Sequence, residues 1–221
     1  MALIGIKELD ESIGEIDEGK IIVIKGPPGT GKIVIGYSFL EQGVKKGQNC
    51  FYMFYKESVE QVFNDVKDFG IDASKVVFAN TNNIFEGQSG YKLIVCDIYN
   101  PSTIDKIDLL FKTKKNVRGV ITVLSQIFQG KSISTAFYTV NHMKQLLENY
   151  KKGSLLFTME KGVVTDQDLK DVEDLVDIVC EMIPTGQNKG KFIINKCYKR
   201  VKIKNFTYTI TKNKISLAPI L

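Results

Sequence analysis

A short apolar strand, a glycine-rich turn and an amphipathic helix follow one another near the start of this 221-residue chain. Residues 21–24, Ile-Ile-Val-Ile, are β-branched and apolar, which is typical of a strand buried on both faces of a parallel sheet. The turn covers residues 26–31, and apolar residues then recur with a helical period from Lys32 to Lys45. This order favours α/β folds in which a phosphate group is bound at the turn.

The turn matches seven of the eight positions of the P-loop pattern G-x-x-x-x-G-K-[ST]. Glycines let successive backbone N–H groups point into one concavity, and Lys32 adds a full positive charge for the outer phosphates. The sequence therefore predicts nucleotide binding, with ATP as the expected ligand. The predicted binding residues are Gly26, Pro27, Pro28, Gly29, Thr30, Gly31, Lys32 and Ile33.

Ile33 occupies the eighth position, where a Ser or Thr hydroxyl normally ligates Mg²⁺. The isoleucine side chain has no oxygen, and the next residues, Val34 and Ile35, have none either. Water and phosphate oxygens fill much of a Mg²⁺ shell, but one protein ligand is missing. We therefore expect ATP to bind without a firmly held Mg²⁺.

Predicted strands and helices alternate along most of the chain. This alternation predicts an α/β fold with a mainly parallel central sheet, flanking helices and a C-terminal antiparallel hairpin, in a single domain over 1–221. The predicted strands are 20–25, 50–55, 75–78, 92–97, 119–124, 154–159 and 178–183. The predicted helices are 32–45, 58–69, 102–112, 134–151 and 169–176. Two further β-runs, 192–204 and 206–217, are expected to close the chain, with a tight link at Asn213.

Two carboxylates are candidates for hydrolytic chemistry. A P-loop hydrolase needs an acid at a strand end for the metal ion and a base that aligns the attacking water. Asp97 follows the strand residues 93–96 and is the candidate metal ligand, and Glu57 follows residues 50–55 and is the candidate base. The alternative interpretation of each is a helix-capping or loop carboxylate.

Charge is distributed unevenly along the sequence. The net charge is +5, yet residues 185–221 contain nine Lys or Arg residues and no Asp or Glu. Such a segment either meets phosphates, nucleic acid or an acidic neighbour, or is a β-ribbon with solvated lysines. The four cysteines are widely spaced, no secretory signal is recognised, and no run approaches ~18 apolar residues. We therefore expect a cytoplasmic protein with reduced thiols and no membrane span.

These motifs resemble the KaiC-like branch of the RecA-type P-loop ATPases, which occurs in archaea and cyanobacteria. The resemblance covers nearly the whole chain. It implies a RecA-like P-loop fold, ATP binding and a homo-oligomer, of which a ring is one form, with nucleotide sites between subunits. The matching segments are residues 5–11 and 14–19, the loop at 26–32, residues 51–58 with 60–61, and the stretches 119–125, 155–160 and 192–217.

The departures from that family concern hydrolysis. In this alignment Thr122 replaces the strand-end aspartate, and Lys56 replaces the first of two paired glutamates, so that only Glu57 remains. Lys196 matches a cation that reaches a neighbour's nucleotide, whereas Tyr198 stands at the arginine position. The resemblance therefore implies an ATP-binding, hydrolysis-impaired protein that acts as a regulatory or scaffolding subunit, with a protein partner that the sequence does not identify.

Two other functions are compatible with the sequence. One is a working ATPase that uses Glu57 as base and Asp97 at the metal. The other is a nucleic-acid-binding RecA relative, suggested by the basic C-terminal region, although residues 127–134 contain only Lys131 as a cation. A further hypothesis is that Lys56 supplies the missing metal's charge beside the terminal phosphate.

Overall fold

The computed structural model describes residues 2–55, 57–80, 92–95, 108–109, 111–114, 116–122, 124–130, 133–150, 153–212 and 214–220. Within these residues there are six helices with defined bounds, a 3-10 turn at Ala73–Lys75 and ten strands, and residues 108–109 and 111–113 are helical as well. The helices are α1 (Lys7–Ile13), α2 (Lys32–Lys45), α3 (Val59–Asp68), α4 (Leu124–Gly130), α5 (Ile133–Tyr150) and α6 (Asp166–Leu175). The strands are β1 (Lys20–Gly26), β2 (Asn49–Phe54), β3 (Val76–Asn80), β4 (Lys92–Val95), β5 (Val117–Ile121), β6 (Ser154–Glu160), β7 (Ile178–Gly186), β8 (Lys189–Cys197), β9 (Asn205–Thr211) and β10 (Lys214–Pro219).

The described strands form one sheet in the order β10-β9-β8-β7-β1-β6-β5-β2-β3-β4. All pairs from β7 through β1 to β4 are parallel, and β7 to β10 pair antiparallel with one another. The predicted α/β class, with a mainly parallel sheet and an antiparallel C-terminal part, is confirmed.

Two hydrophobic cores cover the two faces of the sheet, because successive side chains of a buried strand point to opposite faces. On β1, Ile22 and Ile24 belong to the core shared with α1, α2, α3 and the C-terminal strands. Ile21 and Val23 belong to the core shared with α5 and α6. The sheet is thus covered on both faces. A functional site must therefore lie where the strands end.

The sequence missed or misplaced several elements. The chain after residue 186 forms three strands, not two, because residues 198–204 leave the sheet. Ser12 stabilises this loop, because its hydroxyl donates to the Ile203 carbonyl at 2.5 Å and accepts from the Ile203 N–H at 2.9 Å. The strand expected over 119–124 ends at Ile121, and Leu124 begins helix α4. Helix α1 was not predicted.

Some predictions fall on residues that the structure does not describe. The helix expected at 102–112 is one, although residues 108–109 and 111–113 are helical. Lys56, Asp97 and the proposed link at Asn213 also lie outside the described residues.

The register of the parallel strands brings the candidate site together. Gly26, the last residue of β1, lies opposite Glu160, the last residue of β6. Beside β6, β5 ends at Ile121, which pairs with Met53 of β2. The carboxyl ends of β1, β6, β5 and β2 therefore meet at one edge, where open α/β sheets bind ligands.

None of the helices in the described ranges is long and apolar enough to span a membrane.

Candidate functional site

The P-loop joins the end of β1 to the start of α2, as its sequence predicts. Gly26 allows β7 to approach closely, since a Cβ at this position would lie 2.6 Å from the Met182 carbonyl oxygen. Gly31 has φ +79° and immediately precedes α2, a left-handed conformation that favours glycine. The loop thus has the strand–turn–helix form of a phosphate cradle.

Lys32 is held inside the loop. Its Nζ atom donates to the carbonyl oxygens of Gly26 at 2.9 Å and Pro27 at 2.7 Å, and the residue is only 7 % exposed. Burial lowers the pKa of Lys32 to about 8, and the negative charge of Glu160 opposes this shift. The Thr30 hydroxyl donates to the same Pro27 carbonyl at 2.9 Å, so the loop is ordered by its own side chains.

An ion-pair network fixes the end of β1 just before the loop. Lys25 Nζ lies 2.5 Å from a carboxylate oxygen of Glu173 on α6 and 3.5 Å from one of Glu181 on β7. Glu181 also accepts from Lys161, which follows β6, at 2.9 Å. Because β1, β7 and α6 are tied together here, the start of the P-loop has a defined position.

A cavity of about 500 Å³ opens beside the P-loop. Its walls come from the loop and the start of α2, from the ends of β2, β5 and β6, and from one side of α3. The described lining residues are Gly29, Gly31, Lys32, Ile33, Tyr37, Tyr52, Tyr55, Glu57, Gln61, Val62, Asp65, Thr122, Gln126, Thr158 and Glu160.

Several residues singled out in the sequence line this cavity. Ile33 and Thr122 occupy the positions where a metal-binding hydroxyl and carboxylate were expected, and the Thr122 hydroxyl donates to the Met53 carbonyl at 3.1 Å. Glu57 is exposed at the rim. Ser58, not Glu57, caps α3, since its side chain accepts from the Gln61 N–H.

Lys196 lies away from the cavity. Its Nζ donates to the carbonyl oxygens of Glu173 at 2.7 Å and Asp174 at 3.2 Å, at the C-terminal end of α6. The Tyr198 hydroxyl donates to an Asp17 carboxylate oxygen at 3.0 Å. Both side chains are therefore engaged within their own chain, and a role of Lys196 towards a second copy stays a prediction.

Glu160 and three tyrosines are site residues that sequence reasoning missed. Glu160 ends β6, next to the P-loop strand, and Tyr37, Tyr52 and Tyr55 line the wall between α2 and β2. The sequence signal for Glu160 was an acid at the end of an apolar run. That signal becomes specific only once β6 is known to lie beside β1.

The residues present fit a phosphate better than a metal ion. Left-handed glycine, a helix start and a buried lysine are suited to an anion. Within the described ranges, no group of three or more His, Cys, Asp or Glu residues could hold a metal ion.

Comparisons with known proteins agree with this geometry. A family model described as "ATPase: KaiC" matches residues 2–221. A UPF0273 protein of Aeropyrum pernix is 26 % identical over 164 residues, which are 69 % of this chain and 65 % of that protein. The circadian clock oscillator protein KaiC of Parathermosynechococcus lividus is 38 % identical over 135 residues, or 58 % of this chain and 23 % of that protein. The match thus spans less than two thirds of each relative.

Solved structures share the fold. The crystal structure of a KaiC-like protein from Pyrococcus horikoshii superimposes with a TM-score of 0.72 at 18 % identity over 99 % of both chains. A second protein of that organism, in complex with an unknown peptide, gives a TM-score of 0.74 at 14 % identity over 100 % of both chains.

Proposed function

This chain belongs to the KaiC family of ATPase domains, and we propose that it binds ATP at residues 26–33 while hydrolysing it little or not at all. The observation that carries the proposal is the buried Lys32 beneath a glycine-rich turn that opens into a cavity of about 500 Å³. The loop amides and Lys32 would hold the phosphates. Binding ATP would displace the two carbonyl contacts of Lys32 in favour of phosphate oxygens, which are stronger acceptors.

The proposed impairment of hydrolysis is supported by two residues of the cavity wall. They lie where a hydrolase would hold the metal ion and the attacking water. Ile33 offers no ligand, and Thr122 offers a neutral hydroxyl in place of a carboxylate. Phosphoryl transfer depends on positioning and on neutralising charge, so the loss of both groups removes most of the expected acceleration.

A protein that holds ATP without consuming it is suited to a regulatory or scaffolding role. We propose a homo-oligomer in which bound ATP stabilises the assembly. In it, Lys196 would give up its hydrogen bonds to α6 and contact the neighbouring subunit instead. The support for this oligomer is family membership.

The binding proposal is tested by titrating ATP calorimetrically into the purified protein and into Lys32→Ala. Hydrogen bonds to charged groups contribute about 1.5–3 kcal/mol, so the substitution should weaken ATP binding roughly ten- to hundredfold. Lys45→Ala removes an exposed lysine from the other end of α2 and serves as the matched control. Equal affinity in all three proteins would contradict the proposal.

The hydrolysis proposal is tested by a turnover assay with Mg²⁺ on the same three proteins and on Glu57→Gln. We expect the wild-type rate to equal that of Lys32→Ala. A rate that disappears in both Lys32→Ala and Glu57→Gln would instead establish the working ATPase with Glu57 as base.

A further inference from the structure

One carbonyl group of the P-loop accepts hydrogen bonds from two side chains of the same loop. The Pro27 carbonyl oxygen lies 2.7 Å from Lys32 Nζ and 2.9 Å from Thr30 Oγ1, and both atoms donate to it. The Thr30 hydroxyl in turn accepts from Lys32 Nζ at 3.5 Å. The Pro27 carbonyl, the Thr30 hydroxyl and the Lys32 ammonium group are therefore mutual neighbours, and we call these three groups the loop cluster.

The contacts of Lys32 occupy every N–H bond of its ammonium group. An ammonium group has three hydrogen-bond donors. The carbonyl oxygens of Gly26 and Pro27 and the Thr30 hydroxyl accept all three. The P-loop thus has a closed form, in which Lys32 is bonded to its own loop. Lys32 can bind a phosphate only when at least one of these contacts breaks.

The loop cluster is shielded from water. Thr30 is only 5 % exposed, and Lys32 is buried beside it. Water competes little for hydrogen bonds in such surroundings, and a buried donor that loses its acceptor is costly. Gly26 makes room for this arrangement, because a Cβ at that position would lie 3.1 Å from Thr30 Oγ1. Opening the closed form therefore has a free-energy cost of its own.

The carbonyl is the fixed member of the loop cluster, and the two side chains are the movable members. Pro27 and Pro28 are consecutive, and each proline ring fixes its own φ angle. Pro28 also restricts the backbone of Pro27 to extended conformations. A phosphate can draw the ammonium group away by rotation of the Lys32 side chain. The Thr30 hydroxyl opposes that rotation, because it is bonded to both other members.

We infer that Thr30 is a positioning residue that holds the P-loop in its closed form and so determines how readily the loop admits ATP. Both contacts of its hydroxyl favour the form in which Lys32 has no donor for a phosphate. A ligand that binds only a minor form has its affinity reduced by the population of that form. The effect on ATP rests on the proposed nucleotide binding, whereas the closed form can be tested by itself.

The first measurement uses no nucleotide. Acetic anhydride at one pH modifies accessible amines, and mass spectrometry gives the rate at Lys32 in wild type, Thr30→Val and Thr30→Ser. Valine keeps the shape of threonine without its hydroxyl, so Thr30→Val should raise the Lys32 rate about fivefold. Thr30→Ser retains the hydroxyl and should react at the wild-type rate. Lys45, exposed at the other end of α2, is the internal control and should react equally in all proteins.

The second measurement is the ATP affinity of the same proteins by calorimetry. Thr30→Val should bind ATP about fivefold more tightly than wild type, because its loop opens more readily. Thr30→Ser should match wild type. Thr30→Ala also removes the hydroxyl and should behave like Thr30→Val in both measurements, which separates loss of the hydroxyl from any disturbance by the valine methyl groups.

The outcomes separate this inference from the proposed function. Equal Lys32 rates in wild type, Thr30→Val and Thr30→Ala would overturn the inference. Weaker ATP binding in these two variants, with normal binding in Thr30→Ser, would overturn it as well, since the hydroxyl would then serve the bound phosphate. Faster modification of Lys32 without ATP binding in any of the proteins would overturn the proposed function and uphold the closed form.

Discussion

Lys32 is the residue on which the proposed phosphate binding most depends. Its Nζ atom donates to the carbonyl oxygens of Gly26 and Pro27, and the side chain is almost fully enclosed by the loop. That enclosure disfavours its charged form, so the pKa of Lys32 falls to about 8. Phosphate binding requires the charged form. The affinity for ATP should therefore depend on the protonation of Lys32.

This coupling predicts a pH dependence. The free protein loses the Lys32 proton as the pH rises through about 8, and ATP must then bind together with a proton. ATP affinity should therefore fall by up to about tenfold per pH unit between roughly pH 8 and 9.5. Calorimetry across this range checks the slope. Lys32→Ala should show a flat profile, and an equal slope in that variant would assign the effect to another group.

The sequence predicted the residues of the loop but not all of their neighbours. Gly31, Lys32 and Ile33 are contiguous, so their local pattern was sufficient. Glu160 is 128 positions from Lys32 along the chain, and it reaches the loop only because β6 pairs with β1. A single sequence contains no direct signal for that pairing.

Among the elements, β9 packs against the P-loop, a contact that was not predicted from the sequence. Ile210 packs directly on Gly31, and a Cβ at position 31 would overlap its Cδ1 atom. The Ile210 N–H donates to the Asn188 carbonyl at 2.7 Å, which attaches this part of β9 to the β7–β8 turn. The antiparallel strands thus support the phosphate loop from one side.

Truncating Ile210 should loosen this support. Because the side chain is half-buried, Ile210→Ala should lower the free energy of unfolding by about 1–2 kcal/mol. Hydrogen exchange of the loop amides should accelerate, and ATP affinity should decrease. Ile215→Ala removes the same atoms from the paired position on β10. Similar exchange in both variants would show that β9 does not brace the loop.

Elements with strong local signals were predicted best. Helix α2 begins and ends at the predicted residues because a glycine precedes it and its apolar residues have a clear helical period. The C-terminal region was predicted poorly, since Val201 and Ile203 look like strand residues. In the structure they pack against the core from a loop instead. These two residues are apolar because they are partly buried against the core, and not because they pair in a strand.

At the scale of the whole molecule, one sheet connects every part of the described chain. We propose that residues 1–221 form a single cooperative domain, because β7 pairs parallel with β1 on one side and antiparallel with β8 on the other, and so joins the two parts of the sheet. Disrupting the antiparallel strands would expose an edge of β7, which is the direct neighbour of the strand that leads into the P-loop.

Unfolding should therefore occur in one transition, with far-UV and near-UV circular dichroism changing together. ATP at a hundred times its dissociation constant should add about 2.7 kcal/mol to the free energy of unfolding. For a chain of this size, that corresponds to a Tm increase of roughly 5–10 °C. Two transitions, of which ATP shifts only one, would show separate domains.

The position of β1 also has a consequence for synthesis. β1 ends at Gly26, but its partners begin at Ser154 and Ile178. At ~5–20 residues per second, a ribosome needs roughly 6–25 s to produce the intervening chain. During that interval an apolar strand and its loop have neither neighbour and need shielding from other nascent chains. The proposed nucleotide site would therefore form late, and we expect ATP to bind only chains that have been translated past β7.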